Sequence, residues 1–172
     1  MTFTQNHKMR KIYENEESLA NENRVKQLIE EIADCTLMKL PRKYSLDWAI
    51  LRNDDFVAFA EYRRRFKWTW DSMRFQGGFY ISLHKWKEAT SWCWLTAKPF
   101  FIFLELDDGV YFADFKEPEE FESPYVRWMD RVNKKRGDWQ DNEPMVVITM
   151  EKFALIEGID EAISKADQNE QK

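Results

Sequence analysis

The chain has 172 residues, enough for one domain with a sizeable core and cramped for two. Apolar residues make up 44%, including eight Trp and thirteen Phe, while charged residues at 33% exclude a membrane class. The net charge of −5 argues against a strongly basic nucleic-acid binder, although basic residues cluster locally.

In chain order, residues 1–20 are polar and unpatterned and are expected to form a flexible arm. They lack the apolar stretch of a signal peptide, so a cytoplasmic protein is expected. ENRVKQLIEEIAD (22–34) sets Val25, Leu28, Ile29 and Ile32 at helical spacing, and Pro41 stops any continuation. YSLDWAIL (44–51) and FVAFAEYR (56–63) alternate like strands around turn chemistry at 52–55, which predicts a hairpin. Residues 64–78 read as a polar, aromatic loop closing on Gly77-Gly78. The stretch 80–97 lacks Gly and Pro and predicts a helix with Ser82 as its candidate N-cap. After Pro99, FFIFLEL (100–106) and VYFADF (110–115) flank the turn Asp107-Asp108-Gly109 as a second hairpin. Residues 116–144 read as charged and irregular. MVVITM (145–150) reads as a last strand, followed by a helical turn around Phe153.

The expected organisation is an arm (1–20), one domain (21–156) and a polar tail (157–172). The expected class is α/β or α+β, a mixed central sheet with flanking helices. Cys35 and Cys93 make neither a zinc signature nor a disulfide framework, and His7 and His84 are too few for a histidine-rich metal site.

The first hairpin carries the chemistry. Side chains alternate faces along a strand. The even positions Tyr44, Leu46, Trp48, Ile50, Phe56, Ala58, Ala60 and Tyr62 are all apolar or aromatic, as a core face should be. Ser45, Asp47, Glu61 and Arg63 fall on the odd face, away from the turn. A three-residue loop (53–55) pairs Arg52 with Phe56 and Asp47 with Glu61, whereas a two-residue loop puts the two acids on opposite faces. Carboxylates facing each other across strands repel unless a positive charge lies between them. A hard divalent cation is one such compensator and Arg63 is another. The same pattern also fits a solvated face with Arg63 as a salt-bridge partner.

Asp47, thirteen intervening residues and Glu61-Tyr62-Arg63 resemble the D…(D/E)-x-K core of the PD-(D/E)XK nuclease-like superfamily, carried there on adjacent antiparallel strands. The order of elements over 22–115 is similar to its restriction-endonuclease-like core, and most similar to its small phage and bacterial members. The resemblance implies that Asp47 and Glu61 ligate Mg²⁺ or Mn²⁺, joined by a Glu of the first helix, with Glu22 ahead of Glu30. It implies metal-dependent hydrolysis of phosphodiester bonds, with DNA ahead of RNA as partner, no membrane, and a homodimer as one allowed state.

One position departs from the pattern, because Arg63 stands where the motif has lysine. Arginine stays protonated and cannot act as a general base, though its fork suits phosphate oxygens. Lys85 on the next helix is the candidate substitute, with Lys87 competing. Two classes of function follow: a divalent-metal nuclease with Asp47, Glu61, Arg63 and Lys85 as catalytic residues, or a catalytically silent nucleic-acid-binding or assembly protein on the same fold. Arg63, Arg64, Arg65, Lys67 and Arg74, interleaved with Phe66, Trp68 and Trp70, are the expected nucleic-acid-binding loop, the alternative being a loop's own packing. Residues 126–139 read as a second phosphate-contacting arm or a solvated loop. Glu105, Asp107 and Asp108 read as turn polarity.

Overall fold

A computed structural model describes residues 16–41, 44–121, 124–130 and 142–156. The expected C-terminal tail and residues 1–15 of the expected arm lie outside the described residues. Helix α1 (Glu16–Ala33) starts earlier than the apolar spacing suggests and buries Val25, Leu28 and Ile29 as one stripe. Asp34, in the left-handed region at φ 47°, turns the chain into β1 (Thr36–Lys39). Only Leu37 of that strand is buried, too short a pattern to read in advance.

Strands β2 (Trp48–Arg52) and β3 (Asp55–Arg64) form the expected hairpin, but the turn is two residues long. Asn53 and Asp54 both take positive φ, 51° and 64°, as a primed turn requires to match strand twist. Residues 44–47 are not strand, and Ser45 has φ 57°.

The stretch expected to be a loop contains α2 (Trp70–Phe75), capped reciprocally by Thr69 and Ser72. The expected helix 80–97 divides: β4 (Phe79–Ser82) is extended, and α3 (Leu83–Thr96) starts once the Ser82 side chain accepts the Lys85 N–H. Ala97, with φ 52°, ends α3 shortly before Pro99. Strands β5 (Phe100–Leu106) and β6 (Gly109–Phe115) form the second hairpin. The segment expected to be irregular contains β7 (Val126–Asp130), which pairs with β8 (Asn142–Ile148). A 3₁₀ turn at Met150–Lys152 precedes the short β9 (Ala154–Leu155).

The large sheet runs β1-β2-β3-β5-β6-β9, with β3–β5 parallel and the other pairs antiparallel. A small antiparallel sheet runs β4-β8-β7. Gly78 sets β4 against β8, because at φ 122° a Cβ would lie 2.3 Å from the Ile148 carbonyl oxygen. Helix α1 covers one face of the large sheet through Leu37, Trp48, Ala60 and Phe103. Helix α3 and the small sheet cover the other, where Trp86, Ala89, Phe79, Ile81 and Val146 meet Phe100, Ile102 and Ala113. The expected mixed sheet with flanking helices is what the chain forms, with both faces buried. Cys93 is a core filler whose thiol burial pushes up to about 12.

Candidate active site

The hairpin register brings Asp47 and Glu61 together by a route that sequence did not reveal. Arg52 pairs with Asp55 and Leu51 with Phe56, but Ile50 pairs with Ala58. Val57 is therefore an extra residue, a β-bulge. Val57 and Ala58 both pack toward α1, while Phe56 and Phe59 pack on the opposite core. The bulge offsets the short turn, and beyond it Ala49 pairs with Phe59 and Trp48 with Ala60. One step further sets Asp47 opposite Glu61. Asp47 ends this arm: its N–H donates to the Ala60 carbonyl (3.2 Å) and its Oδ2 accepts the Tyr62 N–H (3.0 Å).

The odd face of β3 is not solvated. Glu61 is fully buried, pointing toward α3. A buried carboxylate needs charged or hydrogen-bonding partners, and two cations converge on it. Lys85 Nζ, in the first turn of α3, lies 2.5 and 2.7 Å from the two Glu61 oxygens and 3.7 Å from Asp47 Oδ1. The Arg63 guanidinium pairs with Glu61 and stands 3.6 Å from Asp47 Oδ2. Burial raises the Asp47 carboxyl, but Arg63, Lys85, the Tyr62 N–H and Lys39 outweigh it and hold Asp47 below its usual range. Burial dominates at Glu61 and, with the neighbouring Asp47 charge, pushes it up to about 7 against the pull of Arg63 and Lys85. The environment thus favours the ionised form of Asp47 and shifts Glu61 toward holding its proton to higher pH than a free carboxyl.

Glu22 is not brought to this pair. Its carboxylate accepts the Trp48 indole N–H (3.0 Å) and pairs with Lys39 on the α1 side, while Glu61 points the other way. Glu30 accepts the Leu37 N–H at 2.6 Å. Among the described residues no group of three or more His, Cys, Asp or Glu could hold a metal. Lys87 is exposed and makes none of the contacts that Lys85 makes. His84 approaches the site's edge, its Nε2 3.4 Å from Ser45 Oγ.

Most of the basic run is committed elsewhere. Arg64 sits on the α1 face and pairs with Glu105, which also takes Arg24 and the Tyr62 hydroxyl. Glu105 is therefore a buried hub and not turn polarity. The signal was a lone acid in an apolar strand, opposite Arg64 once β3 and β5 pair in parallel. Arg65 reaches the Tyr80 carbonyl at 3.5 Å, and Arg74 pairs with Glu151 at 2.8 Å. Asp107 accepts the Lys67 N–H and Asp108 the Trp70 N–H, so these two acids pin the 65–70 segment. An apolar cavity of about 420 Å³ between α1 and the sheet, lined by Ile29, Ile50, Val57 and Phe101, contains neither carboxylate of the pair.

A six-stranded mixed sheet flanked by helices is the architecture of a restriction-endonuclease-like protein. A family model described as "Phage putative PDDEXK endonuclease" matches residues 8–156, and the chain belongs to that family. A search of the curated proteins found no match to the chain. The family carries a nuclease's nucleic-acid substrate and a general use of divalent metals. Among the described residues no helix is long and apolar enough to cross a membrane.

Proposed function

We propose that the protein is a divalent-metal-dependent nuclease acting on cytoplasmic DNA, with Asp47 and Glu61 as metal ligands and Lys85 in place of the motif lysine. The observation that carries this is Lys85 Nζ lying between both acids, 2.5 Å from Glu61 and 3.7 Å from Asp47. The two carboxylates offer hard oxygen donors, which fit an ion such as Mg²⁺ or Mn²⁺ that takes one or two protein acids and otherwise keeps water and phosphate oxygens. When bound, such an ion supplies an activated water and neutralises charge building on the phosphorus oxygens.

The chain's own residues do the remaining work. Lys85 stands in the first turn of α3, where the helix dipole disfavours a cation, and the two acids hold it there. That arrangement favours an incoming phosphate, which meets an ammonium and the positive end of the helix dipole at one place. Arg63, released from Glu61, offers a bidentate grip on a second phosphate oxygen. Lys67, exposed at its turn, meets the nucleic-acid backbone by charge. A second reading has its own observation. Lys85 and Arg63 together balance both acids, which would suit a silent binding or assembly protein as well.

Single- and double-stranded DNA incubated with the protein and Mg²⁺ or Mn²⁺, beside chelator and Glu61→Ala controls, separates the two. Cleavage abolished by chelator and by the mutation is expected. Absence of cleavage with either ion selects the silent reading, and equal cleavage by the mutant removes Asp47–Glu61 as the site.

A further inference from the structure

If most of the basic run is tied to protein partners, the substrate strand needs another surface beside the acids. The small sheet supplies one. Strand pairing sorts its residues by face: Phe79, Ile81, Val146 and Ile148 point into the core. Tyr80 and its partner Val147, and Met145, alternate with them and point away, while Ser82 at the end of β4 is buried and caps α3. On β7 that outward face continues with Arg127, paired to Met145, and Tyr125, whose carbonyl accepts the Val147 N–H at 2.9 Å. Tyr125 is 69% exposed and Arg127 is exposed, while Tyr80, Met145 and Val147 are half-buried between them and the core.

We propose that this outward face is a binding platform for an unpaired stretch of the nucleic-acid strand, with Tyr125 stacking on a base and Arg127 holding a phosphate. The inference rests on the nuclease reading for the identity of the ligand. Its position comes from the register. Ser82 caps α3 by accepting the Lys85 N–H, and Arg127 lies two inter-strand spacings from Ser82, about 10 Å. That span equals about three base steps of one strand at roughly 3.4 Å each. The chemistry matches a single strand. An exposed ring stacks on any base face, a guanidinium grips phosphate in two places, and Met145 and Val147 offer an apolar bed. A duplex hides its base faces and leaves the ring without a partner.

The test is binding of a labelled single-stranded oligonucleotide to the full chain in chelator, so that nothing is cut. Tyr125→Ala and Arg127→Ala are each expected to raise Kd about tenfold. Trp128→Ala, on the opposite face of the same strand, is expected to change it less than about twofold. Unchanged Kd in the first two variants overturns the platform, and an equal loss in Trp128→Ala overturns the assignment of the face. Strand β7 is also an edge, so a second copy could pair with it. Sedimentation showing that Tyr125→Ala splits a dimer, with Kd unchanged, would give the surface to that copy and overturn the proposal. The two readings fail separately. A protein that never cuts DNA but binds it through Tyr125 keeps the platform, and one that cuts with Kd indifferent to Tyr125 and Arg127 loses the platform alone.

Discussion

Glu61 and Glu105 are buried acids on neighbouring parallel strands, pointing to opposite faces of one sheet, and they are compensated differently. Glu105 takes Arg24 from α1, Arg64 from β3 and the Tyr62 hydroxyl, so one acid collects three donors and ties the helix to the sheet. Glu61 shares its cations with a second acid, and the balance of two against two is met by one lysine and one arginine. The first arrangement has no reason to open. The second holds two negative charges near each other with only movable side chains between them, which is the condition under which an external cation can compete. Burial alone does not mark a functional acid; a second acid beside it does.

The widest separation between the two clusters should appear in cleavage. Glu61→Ala is expected to lower it by a thousandfold or more, the equivalent of about 4 kcal/mol in the transition state, measured by single-turnover assays. Lys85→Ala should cost about a hundredfold, with Lys85→Arg recovering part of it. Activity surviving in Lys85→Ala would move the ammonium's role to Arg63. On the other face, Glu105→Ala should lower unfolding free energy by about 3–5 kcal/mol in denaturant titration while leaving cleavage per folded molecule unchanged. A variant that folds normally and stops cutting would erase the distinction between the two acids. Tyr62→Phe removes one donor of the three and should cost about 2 kcal/mol, again without loss of cleavage.

The smallest effect concerns a third acid, Glu120, near the surface. Burial raises its carboxyl, but the Glu117 and Lys116 N–H groups and Lys152 outweigh it and bring it to about 2. Because the folded value lies below the usual 4.5, its contribution is complete above pH 4.5 and is lost as pH falls toward 2. Glu120→Gln should lower the melting temperature at pH 7 modestly and flatten its fall across that window, the two proteins converging near pH 2.

The parts legible in sequence were local. Alternation along 56–63 marked a strand, and Ser82 announced the cap that sets Lys85 in the first turn of α3. The facing of Asp47 and Glu61 was also legible, although a three-residue loop was inferred and a two-residue turn with a bulge stands in its place. Both routes shift register by the same amount, and Val57 looks like any other strand residue. Strand β4 was hidden because no Gly or Pro separates it from α3. The Glu105 hub was beyond reach for a different reason. Its partners lie 41 and 81 residues away in the chain, joined across a parallel pair that periodicity does not encode.

The bulge at Val57 also limits how this hairpin can change. Deleting that one residue would leave the turn and every pair from Ile50–Ala58 onward in place, because the bulge is where one extra residue is absorbed. An added residue between Ala58 and Ala60 would instead turn Glu61 toward the α1 side and set Ala60 opposite Asp47. Insertions in the turn carry the same penalty. Between Leu51 and Ala58 the loss of the bulged residue is therefore tolerable and a single addition is not, so a segment far from the acids and largely at the surface should accept substitutions freely and single-residue insertions hardly at all.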